Sequence, residues 1–414
     1  MPKRIRPSEL AAVLPPDGTI WLQACSAESD LLRTGLSAMA AAPGRMRFTG
    51  IFVPGLNKVD YLLSGAGGVE TFFQTPELKA AGDRVSFLPL SYRDIWRRVS
   101  RGRIDAALFM LSPPDEAGLC SFGTVADFLP ALWRQIPIRI AHINPRMPRT
   151  AGHPGIPFDQ LTALVEGEQD LLVATPGQDP TSRAVAAQVA ALVPDGATIQ
   201  AGLGRVPELA VAGLREHRDL KIHSGLIGDS ILDLLDSGAL AADAPITAGV
   251  AIGTRRLYDA VSSPRFSFRP VDFTHSARIL SDIPSLVTIN SALEVDLFGQ
   301  AYSELGPAGL MSGPGGASDF AAGARMGDDL RIVALASTAS GGRTTRIVPP
   351  GARAAPVSLG RFDIDVVVTE NGAADLRELS HAARAEALVG IAAPDHRDAL
   401  FEAWRDWEGR VNRK

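Results

Sequence analysis

Pro15-Pro16-Asp17-Gly18-Thr19-Ile20-Trp21-Leu22-Gln23-Ala24 is the stretch from which the fold can be read. A Pro-Asp-Gly turn halts the short helical run Ser8 to Leu14, and an apolar strand follows that ends in small residues. Proline presets one turn torsion, aspartate bonds its own backbone, and glycine accepts left-handed geometry. The same order returns 178 residues later. There the alanine-rich helix Ser182 to Val193 stops at Pro194-Asp195-Gly196, and Ala197-Thr198-Ile199-Gln200-Ala201 begins. Two starts of one kind predict two similar α/β halves. They are placed at residues 1–178 and 179–414, with the breaker-rich stretch Ala174 to Pro180 as the hinge.

Outward from these starts, short apolar runs alternate with helical stretches. Ile104 to Met110, Ile138 to Ile143, Arg331 to Leu335 and Ile364 to Val368 are continuous rather than alternating, the pattern of strands buried on both faces. The fold class is therefore α/β with two open, mostly parallel sheets. Ligands of such sheets sit beyond the carboxyl ends of the strands, so chemistry belongs in the loops that follow them.

Composition narrows the classes further. With 46% hydrophobic and 21% charged residues, the 414-residue chain reads as a soluble globular protein of more than one domain. A net charge of −5 without a long basic run argues against nucleic acid. Cys25 and Cys120 lie far apart without a CxxC, so both are expected to be small, buried and reduced. The basic opening Met1 to Arg6 leads to no secretory apolar stretch, and no run of eighteen apolar residues occurs. A cytoplasmic protein without a membrane partner is expected. Seven histidines without HxxxH or HExxH predict no metal.

Four segments could carry chemistry. Gly202-Leu203-Gly204, between a predicted strand and a helix starting near Glu208, lets backbone approach a ligand and aims free N–H groups at an anion, or is simply a tight turn. Met311-Ser312-Gly313-Pro314-Gly315-Gly316 is too glycine-rich for a helix or strand interior. Ala336 to Arg346 combines hydroxyls, glycines and two arginines, which suits phosphate. Neither the P-loop spacing nor the dinucleotide fingerprint occurs, which disfavours an ATPase or an NAD-dependent dehydrogenase. Finally, Asn290 to Gln300 alternates like a strand and sets Glu294 and Asp296 on one face, either as an acid–base pair or, more commonly, as a solvated sheet face.

Together with Ser112-Pro113-Pro114-Asp115-Glu116-Ala117-Gly118, Asn144 to Thr150, Gly253 to Asp259 and Val368 to Gly372 with Ala374 to Arg377, these stretches resemble the acetyl-CoA hydrolase/transferase family, a class I coenzyme A transferase group, in its 4-hydroxybutyrate CoA-transferase branch. The resemblance implies two NagB/RpiA/CoA-transferase-like domains with an acyl-CoA cleft between them, and homo-oligomers. It implies a mobile loop at Gly202, Leu203 and Gly204, and CoA contacts at Ser312, Gly315, Gly316 and Arg343. Family members typically carry lysines where Gly341 and Arg343 stand, so phosphate contact here falls to arginine. Coenzyme A enters as substrate, with a carboxylic acid as its partner. The segment Phe48 to Gly55 would shape the acyl pocket.

The family's mechanism is covalent: a glutamate attacks the thioester, forms a mixed anhydride and then a glutamyl-CoA thioester. That glutamate lies in a sequence similar to His-Thr-Glu-(two apolar)-x-Asp. Here the stretch reads His223-Ser224-Gly225-Leu226-Ile227-Gly228-Asp229, which sets Gly225 at the nucleophile's position. Three readings follow. One is acyl-CoA hydrolysis, with His223, Ser224 or Asp229 assisting. Another is CoA transfer by a route that survives the change. A third is a non-catalytic protein that binds CoA or acyl-CoA.

Overall fold

The computed structural model describes residues 1–39, 45–63, 67–175, 177, 179–306, 309–310, 312–327, 329–352 and 355–411. Pro176 and Gln178 of the expected hinge, and Met311 of the glycine-rich segment, lie outside the described residues. The chain forms two compact units. The first is Met1–Thr175 with Gly225–Asp229 and Pro245–Ser276; the second is Pro176–Ser224 with Ser230–Ala244 and Ala277–Lys414.

In the first unit the strands are β1 Lys3–Arg4, β2 Asp17–Leu22, β3 Arg45–Gly50, β4 Gly68–Thr71, β5 Val85–Phe87, β6 Ala106–Leu111, β7 Ile138–Ile143 and β8 Ala163–Glu166. They make one parallel sheet in the order β1-β8-β7-β6-β2-β3-β4-β5. Every residue of β6 is buried, as its unbroken apolar run requires of a strand covered on both faces. Strand order reverses at β2, because β3, β4 and β5 add on one side and β6, β7 and β8 on the other.

The remaining parallel strands are β9 Thr198–Ala201, β10 Lys221–Ile227, β11 Ile246–Ala251, β12 Phe266–Phe268, β13 Leu286–Ser291, β14 Leu330–Ala334 and β15 Val366–Thr369, with β16 Gly372–Asp375 returning antiparallel to β15. Within the second unit the order is β10-β9-β13-β14-β15-β16. Strand β10 leaves that unit after Ser224, and its residues from Gly225, with the paired β11 and β12, count with the first.

The internal repeat is visible in atoms. β2 and β9 are each internal to a sheet and have later strands on both sides. Asp17 Oδ1 accepts the N–H of Arg45 (2.8 Å), and Asp195 Oδ1 accepts that of Arg218 (2.9 Å). Each turn aspartate thus tethers the approach to the next strand. The glycines behind them take positive φ, +130° at Gly18 and +75° at Gly196.

Local boundaries depart from the sequence reading where caps decide them. The opening helix is a 3₁₀ turn over Pro7–Ala12, too short to wind further before Pro15. The alanine-rich helix begins at Pro180, because Asp179 Oδ1 accepts Ser182 N (2.9 Å) and caps it two residues early. Both cysteines are buried and free, as expected. Among the described residues no helix is long and apolar enough to cross a membrane.

Candidate functional site

In the second unit the expected loops follow the carboxyl ends of parallel strands. After β9, Gly202 passes so close to β13 that a Cβ on it would lie 2.7 Å from Asn290 Oδ1. Asn290 Nδ2 donates to Gln200 Oε1 (3.1 Å), which ties the ends of β9 and β13 together. Gly204 takes φ +138° and caps the helix Arg205–Ala212, three residues earlier than expected. Between the two glycines Leu203 is exposed at 56%. Arg205 pairs with Asp179, so its charge is engaged beside the turn.

On β10, His223 and Ser224 are buried. The Ser224 hydroxyl donates to Ala201 O (3.0 Å) and accepts, at 3.4 Å, from Ala201 N. It pins β10 to β9 beside the Gly202–Gly204 loop. The structure therefore brings Gly202, Gly204, Ser224 and Asn290 to one end of the sheet.

Ser312, Gly315 and Gly316 form the loop entering the helix Ala317–Ala324, with Gly315 at φ +64°. Arg343 is exposed at the tip of a hairpin whose strands are Thr338–Ala339 and Thr344–Thr345. At the base of that hairpin, Ser337 N and Oγ donate to the two oxygens of Glu370 (2.8 and 2.6 Å), joining the loops after β14 and β15.

Glu294 and Asp296 share a face, but not a solvated one. Both are buried, because the chain bends after β13 and the short strand Glu294–Asp296 pairs with Ala301–Tyr302. Asp296 accepts from Phe298 N, Gln300 N, Gln300 Nε2 and Tyr302 Oη, at 2.8 to 3.0 Å. Its oxygens are spent on holding that turn.

In the first unit, Gly225 lies on β10 beside β11, where Ile252 N donates to Ile227 O (3.0 Å). Backbones approach so closely there that a Cβ on Gly249 would be 2.9 Å from Gly225 O. Asp229 has a structural task. Its oxygens accept Thr254 Oγ1 and Thr254 N, both at 2.8 Å, and so fix the start of the helix Arg255–Ala260.

Two further expected segments meet through Arg149. Its guanidinium donates to Pro113 O (2.9 Å) and Leu119 O (2.7 Å) and pairs with Asp115 (3.1 Å). Tyr258 likewise accepts from Gly253 N (3.2 Å) and donates to Leu172 O (2.6 Å).

Sequence reasoning missed a polar cluster beyond the end of β2. Gln23 accepts from Met110 N (2.7 Å) and donates to Val125 O (3.1 Å). Ser26 bonds Thr124 Oγ1 (2.9 Å) and donates to Ala251 O (2.8 Å). Glu28 is buried; Oε2 accepts from Asn57 and Lys58, Oε1 has no partner among the described residues, and burial raises its pKa. Cys25 sits between them at φ +54°, its thiol pushed up by burial and then by Asp127 and Glu28. Asp127 is 4% exposed, and burial alone drives its carboxyl to about 8. The only signal was the run of small and polar residues, Gln23 to Glu28, directly after a buried strand.

Comparison with known proteins places the chain among coenzyme A transferases by sequence and by structure. The acetyl-CoA hydrolase/transferase C-terminal domain matches residues 253–404. The chain is 33% identical over 311 residues to a 4-hydroxybutyrate coenzyme A transferase of Clostridium kluyveri, spanning 73% of this chain and 72% of that one. It is 35% identical over 337 residues to a succinyl-CoA:cyclohexane-1-carboxylate CoA transferase of Geobacter metallireducens, 79% and 74%. The crystal structure of RipA from Yersinia pestis superposes with a TM-score of 0.91 over 98% of both chains, at 27% identity.

Proposed function

Because the chain belongs to the acetyl-CoA hydrolase/transferase family, we propose that it acts on a short-chain acyl-CoA thioester and passes the acyl group to water. Coenzyme A is the leaving group, and no metal takes part. Gly225 occupies the position of the family's nucleophilic glutamate. The observation that carries this reading is the set of partners at the end of β10. Gly225 offers no side chain, and its polar neighbours are engaged: Ser224 donates to Ala201 O, and Asp229 accepts twice from Thr254.

A strand end without a nucleophile cannot form the mixed anhydride on which CoA transfer depends. Gly202, Leu203 and Gly204 are proposed to contact the substrate through backbone N–H groups, as the family resemblance implies. Water is then the acceptor that needs no covalent intermediate. Ser312, Gly315, Gly316 and Arg343 are proposed to hold the CoA moiety, with Arg343 reaching its phosphates from the hairpin tip.

A screen of acetyl-, propanoyl- and butanoyl-CoA, scoring both free thiol and CoA passed to acetate or succinate, tests the proposal. Wild type is expected to release thiol without a carboxylate acceptor. Gly225→Glu is expected to transfer CoA and to be inactivated by hydroxylamine in the presence of thioester. A wild type that binds CoA but turns over no thioester would replace the reading with that of a CoA-binding protein.

A further inference from the structure

Asp127 has no task in the fold. Its main chain does: Asp127 O accepts Val271 N (2.8 Å), and the preceding Ala126 N donates to Gly249 O (3.0 Å). Its carboxyl does not. Oδ1 and Oδ2 both lack a hydrogen-bond partner among the described residues, although the side chain is buried. An unpaired buried carboxyl is costly, and a group kept at that cost is a candidate for function. Among the described residues it is alone in having both carboxyl oxygens buried and unpartnered.

Asp127 lines a cavity of about 20 Å³ together with Trp21, Gln23, Cys25, Ile51, Val125 and Phe128 among others. That space holds about one water. It lies past the carboxyl ends of β2 and β3, next to the reversal of strand order between β6 and β2. Such a reversal is where open α/β sheets bind their ligands.

The segment that carries Asp127 also runs beside the strand next to Gly225. Val125 bridges antiparallel to Val250, Ala126 bonds Gly249, and Gly249 abuts the carbonyl of Gly225. Gly225, Gly249 and Ala126 thus stand on three adjacent backbone segments, about 10 Å across at the usual strand spacing. Asp127 is the next residue.

We propose that Asp127 is the acid–base group of thioester hydrolysis, holding and deprotonating the attacking water. This rests on the acyl-CoA reading above. The Asp127 carboxylate removes a proton from water as the water oxygen bonds to the thioester carbonyl carbon. The C–S bond then breaks, and the proton passes from Asp127 to the departing CoA sulfur. A carboxylic acid and free CoA thiol leave, and Asp127 is again a carboxylate.

A carboxyl near 8 is suited to this work around neutral pH, where an ordinary aspartate is too weak a base. The titratable group lining the same cavity is Cys25, with Glu28 behind it; both are pushed upward by burial. On the segment bonded to Asp127 O stand Arg269, whose guanidinium lies over Phe273, and the exposed Asp272. Neither contributes to the Asp127 shift.

The test measures hydrolysis of acetyl-, propanoyl- and butanoyl-CoA by the full chain from pH 5 to pH 10, beside thermal melts. For wild type, kcat/KM should rise with pH through an inflection near 8. Asp127→Asn should lose about 100-fold or more in kcat with KM little changed, and should lose the inflection. Its melting temperature should not fall, which separates lost chemistry from lost structure. Asp127→Glu should recover part of the rate and the inflection. An Asp127→Asn protein with kcat within threefold of wild type, or changed in KM alone, overturns the role. A wild type that transfers CoA but hydrolyses nothing keeps the family reading and overturns Asp127. A wild type that turns over no thioester removes both.

Discussion

Asp127 makes a claim about stability as well as about chemistry, and the sign can be worked out. Unfolded, its carboxyl ionises near the ordinary 3.8; folded, burial holds it near 8. Between those values the folded chain binds a proton that the unfolded chain does not, so stability falls as pH rises through that window. The loss amounts to on the order of 5 kcal/mol by pH 8. Asp127→Asn removes the titration while keeping the shape. The variant should melt higher than wild type, and the gap should widen from pH 4 to pH 8, as calorimetry would read. Equal pH slopes for the two proteins would mean that the carboxyl has a partner. Nothing in Val125-Ala126-Asp127-Phe128 separates this acid from an exposed one, because burial is set by β2, β3 and β11, which are remote in sequence. Ser224 and Asp229 present the opposite contrast between sequence and partners. Adjacency to Gly225 suggests assistants, whereas Ser224 pins β10 to β9 and Asp229 caps a helix.

At the scale of elements, legibility follows range. Strands β6 and β7 were readable because an unbroken apolar run is a local property, and Ile138–Ile143 falls where the pattern puts it. Helix starts were less so, since Asp179 and Gly204 cap from outside the apolar pattern. The Glu294 and Asp296 pair could be placed on a common face but not inside the protein, because the second strand that covers them, Ala301–Tyr302, comes from beyond the turn. Close packing of β10 against β11 is likewise silent in sequence, and it carries a prediction. At Gly249 a methyl group would sit 2.9 Å from the Gly225 carbonyl, a backbone atom that cannot rotate away. Gly249→Ala should cost about 1–3 kcal/mol in denaturant unfolding, by forcing the strands apart. It should also depress thioester turnover, since the shift falls on Gly225 and on the neighbour of Asp127. Full stability in that variant would contradict the spacing of β10 and β11.

Over the whole molecule, the repeated Pro-Asp-Gly turn reports the deepest regularity. Two short matches in sequence correspond to two sheets in which the strand after the turn is internal and later strands add on both sides. The amides at the ends of β2 and β9 correspond as well. Gln23 reaches Met110 on β6, and Gln200 accepts from Asn290 on β13, each across the reversal of strand order. The reversal is where ligands bind in such sheets. The duplication therefore supplies two comparable strand ends, one beside the Asp127 cavity and one beside the Gly202–Gly204 loop. If the turns are equivalent, so are their energetics. Asp17 and Asp195 each accept one backbone N–H, at 2.8 and 2.9 Å, and share no partner. Asp17→Ala and Asp195→Ala should each cost about 1–2 kcal/mol, the usual loss for an exposed turn bond to a charged acceptor. In the double variant the two losses should sum to within about 0.5 kcal/mol, as for distant sites without a common network. A loss at one turn several times that at the other would show that the two halves, alike in topology, no longer use their opening turns in the same way.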